Sequence, residues 1–223
     1  MLVIIQTFDA SLKKINLVIV ICILASVLLW YWESDFIIEY FAFSQDNFLD
    51  GKVWTLVTAL FLHADLLHLL GNMLFLFVFG NTLENEVGTK KTLSAFFLGG
   101  TASFLLSTFL YNPSTILIGA SAAIFTLTAV VMLVKPLKFS FLFLMPQGLV
   151  AIIYFAYNIF AVYYSTQGNI AYISHVIGFV IGIPLGIAWS KKWAKNLLIT
   201  IGLFLIYLVI ALLIIPNILA IFT

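Results

Sequence analysis

The stretch LIGASAAIF, Leu117 to Phe125, lies inside a run of 43 residues without a charge, from Thr92 to Val134. Small residues there surround one hydroxyl, Ser121. Thr115 to Ile118 read as extended chain leading into Gly119, and an apolar helix opens at Ser121. A serine so placed sits where unpaired N–H groups and the positive end of the helix dipole stabilise an anion. The helix, Ser121 to Val134, has only 14 residues. At 1.5 Å per residue that is roughly 21 Å, against a hydrocarbon core of about 30 Å. Its start therefore lies below the membrane surface, with Pro113 to Gly119 descending to meet it. Non-helical backbone at such depth is tolerated only within protein or around water. A recessed, hydrated pocket with Ser121 at its floor is the expectation.

The surrounding chain agrees with a membrane setting. Of 223 residues, 64% are hydrophobic and 9% charged, whereas soluble domains carry about 25% charged residues. The fold class is an all-α polytopic membrane protein. The single cysteine, Cys22, sits in an apolar stretch, which excludes an internal disulfide and reads as a buried, inert thiol. A net charge of +1 gives no reason to expect a nucleic-acid partner. All ten basic residues are lysines gathered at segment ends. The first apolar stretch lacks a small-residue cleavage site and reads as a retained span rather than a signal peptide.

Seven spans are expected. They run over Ile15–Trp32, Leu66–Leu83, Thr92–Leu110, Ser121–Val134, Gly148–Tyr164, Ile170–Trp189 and Leu197–Phe222, with Pro216 kinking the last. Residues 1–14 form an amphipathic lead, 15–190 a six-span core, and 191–223 a linker and the seventh helix. Trp30, Tyr31 and Trp32 read as an interfacial belt. Glu33 to Asp65 form a long loop with six acids and one lysine. Glu84 to Lys91 read as a charged turn, Lys135 to Gln147 as a connector, and residues 165–169 as a turn. With a cytoplasmic N-terminus, nine of the ten lysines face the cytoplasm and only Lys52 lies outside. That orientation puts the acidic loop, the start of the fourth helix and the C-terminus outside.

Ionisable side chains within spans are costly and are functional candidates. His68 and Asn72 are four residues apart, on one face of the second span. His175 opens the sixth span, with Gly178, Gly182 and Gly186 at offsets of 3, 7 and 11 on its face. Such a smooth stripe admits close approach of another helix, and the small first turn of the fourth helix is its natural neighbour. Ser121 would then meet His175. A serine hydroxyl needs a base to take its proton, and histidine is the usual one. Asn72, a His68 nitrogen and the Ser121 N–H could hold the developing oxyanion. No carboxylate lies in these segments, so a Ser–His dyad is expected rather than a triad. His63, at the loop-to-span junction, and Asn158, in the fifth span, read as structural. Three histidines on separate elements and a single cysteine make no metal site.

Three pieces carry a family resemblance. GKVWTLVTALFLHADLLHLLGNMLFLFVFG (51–80) with Glu84 and Gly88, GASAAIF (119–125) and AYISHVIGFVIG (171–182) resemble the HxxxxHxxxN, GxSx and HxxGxxxG signatures of rhomboid intramembrane serine proteases. They occur in the family's order over about residues 33 to 190. The resemblance implies a six-helix rhomboid-like core plus one C-terminal transmembrane helix. It implies Ser121 as nucleophile, His175 as base, and His68, Asn72 and the Ser121 N–H as oxyanion hole. Gly119, Phe125, Gly178 and Gly182 would pack the site, Phe125 lying on the His175 ring, and Glu84 would make structural hydrogen bonds. The chain departs from the pattern at Ala122, usually glycine, and at Thr55, often arginine; Trp54 is kept, so the outer loop should still form.

The implied function is an intramembrane endopeptidase whose partners are transmembrane protein substrates and the lipid bilayer, with no cofactor and no metal. A pseudoprotease that binds and escorts membrane clients is the alternative. The absence of mid-membrane charges and of an inverted repeat argues against a transporter. The short polar segments suggest the plasma membrane of a prokaryote.

Overall fold

Glu84 anchors the first helix from a distance. In the computed structural model, which describes residues 13–32, 34–164 and 172–217, its carboxylate accepts hydrogen bonds from the N–H groups of Lys14 and Ile15, each at 3.0 Å, and from Thr89 Oγ1 at 2.6 Å. Those N–H groups open α1 (Lys14–Tyr31) and have no partner within the helix. The charged segment 84–91 is thus no free turn. It is the end of α6 (Asn81–Val87), Gly88 at φ +85°, and the start of α7 (Thr89–Ser107).

The acidic loop is folded rather than extended. It contains α2 (Ser34–Phe41), α3 (Gln45–Leu49), α4 (Thr55–Thr58) and a 3₁₀ turn at Ala59–Phe61. Ser44 caps α3 by accepting from the Asn47 N–H, and Trp54 Nε1 donates to the Tyr40 carbonyl at 2.7 Å. Phe43 and Leu117 exchange backbone hydrogen bonds, tying this loop to the segment that leads into Ser121. Asp65 caps the next helix, α5 (Leu66–Phe75), which continues through a π turn (Leu76–Gly80) into α6.

α8 (Ser121–Val134) is the centre of the molecule. Every residue from Ala122 to Leu133 is buried, so its apolar circumference meets protein rather than lipid. α7 lies on one side, with Gly99 against Thr126, and α10 (Tyr172–Trp189) on another. Thr126 Oγ1 donates across to the Gly178 carbonyl at 2.7 Å. α9 (Gln147–Tyr164) follows a two-residue hairpin, β1 (Phe139–Ser140) with β2 (Met145–Pro146), inside the segment expected to be a plain connector.

The last helix, α11 (Trp193–Val209), docks on α8 through Asn196, whose Nδ2 donates to the Leu133 and Val134 carbonyls at 2.7 and 3.2 Å. These are C-terminal carbonyls of α8 left without helical partners. A π turn at Ile210–Ile214 precedes Pro216. Proline cannot donate to the carbonyl four residues back and crowds it, which is the reason for a widened turn there.

Among the described residues, five helices are long and apolar enough to cross a membrane: Lys14–Tyr31, Leu66–Val87, Gln147–Tyr164, Tyr172–Trp189 and Trp193–Asn217. α7 and α8, the other two of the seven expected spans, are helices at the expected places but fall outside this group. α8 is too short, and α7 carries Lys90 and Lys91 in its first turn. A helix sheathed by its neighbours need not match the bilayer thickness. The aromatic belt also differs: Tyr31 and Trp32 are exposed, while Trp30 turns inward and donates to the His63 carbonyl at 2.9 Å. The lead's residues 1–12, the turn at 165–169 and the final residues of the seventh span lie outside the described residues.

Candidate active site

Gly119 makes the turn into α8. Its φ of +114° is a conformation L side chains rarely adopt, and a β-carbon there would stand 2.9 Å from the His68 ring. Its N–H is held by the Ala59 carbonyl at 2.9 Å. The next N–H, of Ala120, points at His63 Nε2 at 3.4 Å. His63 Nε2 is thus the acceptor, so Nδ1 carries the proton and donates to Ser26 Oγ at 3.0 Å; that hydroxyl donates onward to the Phe61 carbonyl. His63 is fully buried and braces the approach to Ser121 from behind.

The first turn of α8 has no side-chain cap, which leaves its leading N–H groups to whatever lies beside Ser121. Ser121 itself is half-buried. Its Oγ lies 2.7 Å from His175 Nε2, across 54 positions of sequence. The contact exists because α8 and α10 run side by side along the glycine stripe. A β-carbon at Gly178 would overlap the Ala122 carbonyl, and one at Gly182 would press on Thr126 and Ala129. At Gly186 it would meet Leu133 at 2.7 Å. Ala122 does not hold the helices apart, since it is its main chain that faces Gly178.

The His175 ring is held on two further sides. Phe125 stacks on its face, with centroids 4.8 Å apart and planes 8° from parallel. Asn158 of α9 presents Oδ1 to Nδ1 at 2.8 Å. From the sequence Asn158 reads as a packing residue. The signal was its isolation: it is the only non-aromatic polar side chain between Gly148 and Tyr164. Which histidine it would meet was not readable from the sequence.

His68 and Asn72 lie at the same end of the bundle, on α5. The His68 ring packs against Gly119 and edge-on to His63, with centroids 5.0 Å apart. Asn72 is buried, and its Nδ2 donates to the His68 carbonyl at 2.9 Å, which uses one of its two N–H groups. Two open clefts, lined by Val134, Lys135 and Trp189 and by Leu74, Asn81 and Gln147, lie toward the opposite end of α8, away from Ser121.

Ser121 and His175 thus face each other from neighbouring helices at the start of α8. The Rhomboid domain family model matches residues 50–192, well over half of the chain. The chain belongs to the rhomboid family, whose members are typically intramembrane serine proteases. It is 42% identical over 76 residues to Rhomboid-like protease 3 of Toxoplasma gondii, covering 34% of this chain and 28% of that one. It is 41% identical over 76 residues to RHOMBOID-like protein 1 of Arabidopsis thaliana, covering 34% and 19%. To Rhomboid protease GlpG of Serratia proteamaculans it is 30% identical over 100 residues, covering 42% and 36%. The matched stretches thus span between about a fifth and about a third of these relatives.

Proposed function

We propose that the protein is an intramembrane serine endopeptidase that cuts transmembrane segments of other membrane proteins near the outer membrane face. The observation that carries the reading is the 2.7 Å approach of Ser121 Oγ to His175 Nε2 at the start of the central helix. Ser121 attacks the scissile carbonyl while Nε2 takes its proton. The tetrahedral oxyanion is held by the Ser121 N–H, the remaining Asn72 N–H and a His68 nitrogen. Imidazolium then protonates the leaving amine, and water releases the acyl group through the same base.

A transmembrane helix shields its own carbonyls by hydrogen bonding, so a substrate must unwind locally before attack. Segments with small or helix-breaking residues near their outer end meet that requirement at least cost. They arrive sideways, past α9. The lysine distribution supports an N-terminus in the cytoplasm and a C-terminus outside. Residues 15–190 form the catalytic core, with 1–14 as a cytoplasmic lead and 191–223 as linker and added helix. The prokaryotic plasma membrane is the reading from the polar segments. Relatives named as mitochondrial and chloroplastic stand beside the bacterial one.

The test is cleavage of a reporter transmembrane segment by the purified protein in lipid vesicles. Wild type should cut, and Ser121→Ala and His175→Ala should each abolish cutting. Binding of reporter segments without cutting, and no gain from Ala122→Gly, would replace this reading with that of a client-escorting pseudoprotease.

A further inference from the structure

Behind the serine and histidine stands the Asn158 amide, its Oδ1 2.8 Å from His175 Nδ1. We propose that Asn158 is a positioning residue that selects the tautomer and tilt of His175, so that Ser121, His175 and Asn158 act as one unit. This rests on the reading of Ser121 and His175 as nucleophile and base.

A neutral imidazole has one N–H, and base chemistry at Nε2 requires that proton on Nδ1. Asn158 Nδ2 donates to the Tyr154 carbonyl one turn back in α9, at 2.8 Å. Its Oδ1 is thereby turned to His175 Nδ1, also at 2.8 Å. The flipped amide would set Oδ1 against the Tyr154 carbonyl, acceptor against acceptor. It would also aim Nδ2–H at Nδ1, forcing the ring proton onto Nε2, where it would face Ser121 Oγ. One orientation satisfies every group, and it is the one that leaves Nε2 free to accept the serine proton.

The same contact serves the next step. When Nε2 takes the proton, Nδ1–H to Oδ1 becomes a charge-assisted hydrogen bond and strengthens as charge forms. Phe125 fixes the plane of the ring, and Asn158 fixes its rotation within that plane. The contact is buried, with Asn158 2% and His175 9% exposed. A carboxylate there would carry the cost of a buried charge within the membrane, whereas an amide oxygen supplies the acceptor without one.

The experiment compares kcat, KM and pH profiles of the full-length protein in vesicles, using the same reporter segment. Asn158→Leu keeps the volume and removes the acceptor; kcat should fall about 10- to 100-fold, by analogy with metal-bound histidines that lose their outer partner, with KM unchanged. Asn158→Asp restores an acceptor and should recover most of the lost kcat. Its acid limb should move to higher pH, because an anion at 158 stabilises the imidazolium. Wild-type kcat in Asn158→Leu would overturn the proposal. So would equal impairment of both variants through a raised KM, which is the mark of packing alone. If Ser121→Ala or His175→Ala still cleaves, the underlying dyad reading is what fails; if both are inactive while Asn158→Leu cleaves like wild type, only the role of Asn158 fails.

Discussion

Gly178 of α10 rests directly on the main-chain carbonyl of Ala122 in α8, so closely that a β-carbon at 178 would overlap that oxygen. The two helices that carry His175 and Ser121 are therefore spaced by backbone, not by side chains. Gly178→Ala must push α10 outward. It should lower thermal stability in detergent by about 1–3 kcal/mol, the usual cost of overpacking, and reduce cleavage more than stability explains, since the 2.7 Å contact of Ser121 with His175 widens. Gly202→Ala in α11 is the control. A β-carbon there meets nothing within 4 Å, so stability and cleavage should stay at wild-type levels or rise slightly.

Gly119→Ala should be more damaging than its size suggests. The residue holds φ +114°, and its missing β-carbon leaves the space that the His68 ring occupies. Backbone strain and a steric clash act together. The expected result is loss of cleavage with a lowered melting temperature. Wild-type cleavage by this variant would show that the turn into α8 tolerates rearrangement.

Glu84 is a cap supplied from 70 positions away. Glu84→Ala leaves the Lys14 and Ile15 N–H groups and the Thr89 hydroxyl without their acceptor. The cost should be about 2 kcal/mol, near the upper end for a helix cap. Glu84→Gln keeps one acceptor oxygen and should lose about half as much. Melting curves of both variants check the order.

Acid should weaken the protein through His63, in the loop that precedes α5. Burial, and to a smaller extent neighbouring His68, pushes it from its ordinary value near 6.5 down to about 3. Between those values only the unfolded chain takes up the proton. Its contribution to stability is complete above about pH 6.5 and is lost progressively as the pH falls toward 3. His63→Gln removes the titrating group. It should lessen the fall in melting temperature between pH 6.5 and pH 4, at the cost of lower stability at neutral pH, because the bridge from Ala120 to Ser26 is broken.

The sequence by itself determined what is local or periodic. The bounds of α8, Ser121 to Val134, follow from a glycine, a small first turn and an uncharged run, and the structure has the same bounds. The glycine offsets in α10 marked a face for close packing, because spacing along a helix sets which residues share a side. His68, Asn72, Ser121 and His175 were legible as polar groups at one end of their spans, where hydropathy makes any such group conspicuous. Only the tertiary structure decided their partners. Asn158 behind His175, Glu84 on the start of α1, Asn196 on the end of α8 and Trp30 turned in to His63 all join distant segments. A polar side chain in an apolar helix announces that it needs a partner, but which one it finds depends on how the helices pack. The folding of the acidic loop into three short helices is likewise set by contacts such as Phe43 with Leu117 and Trp54 with Tyr40. Such short helices lack the length to be stable or periodic alone.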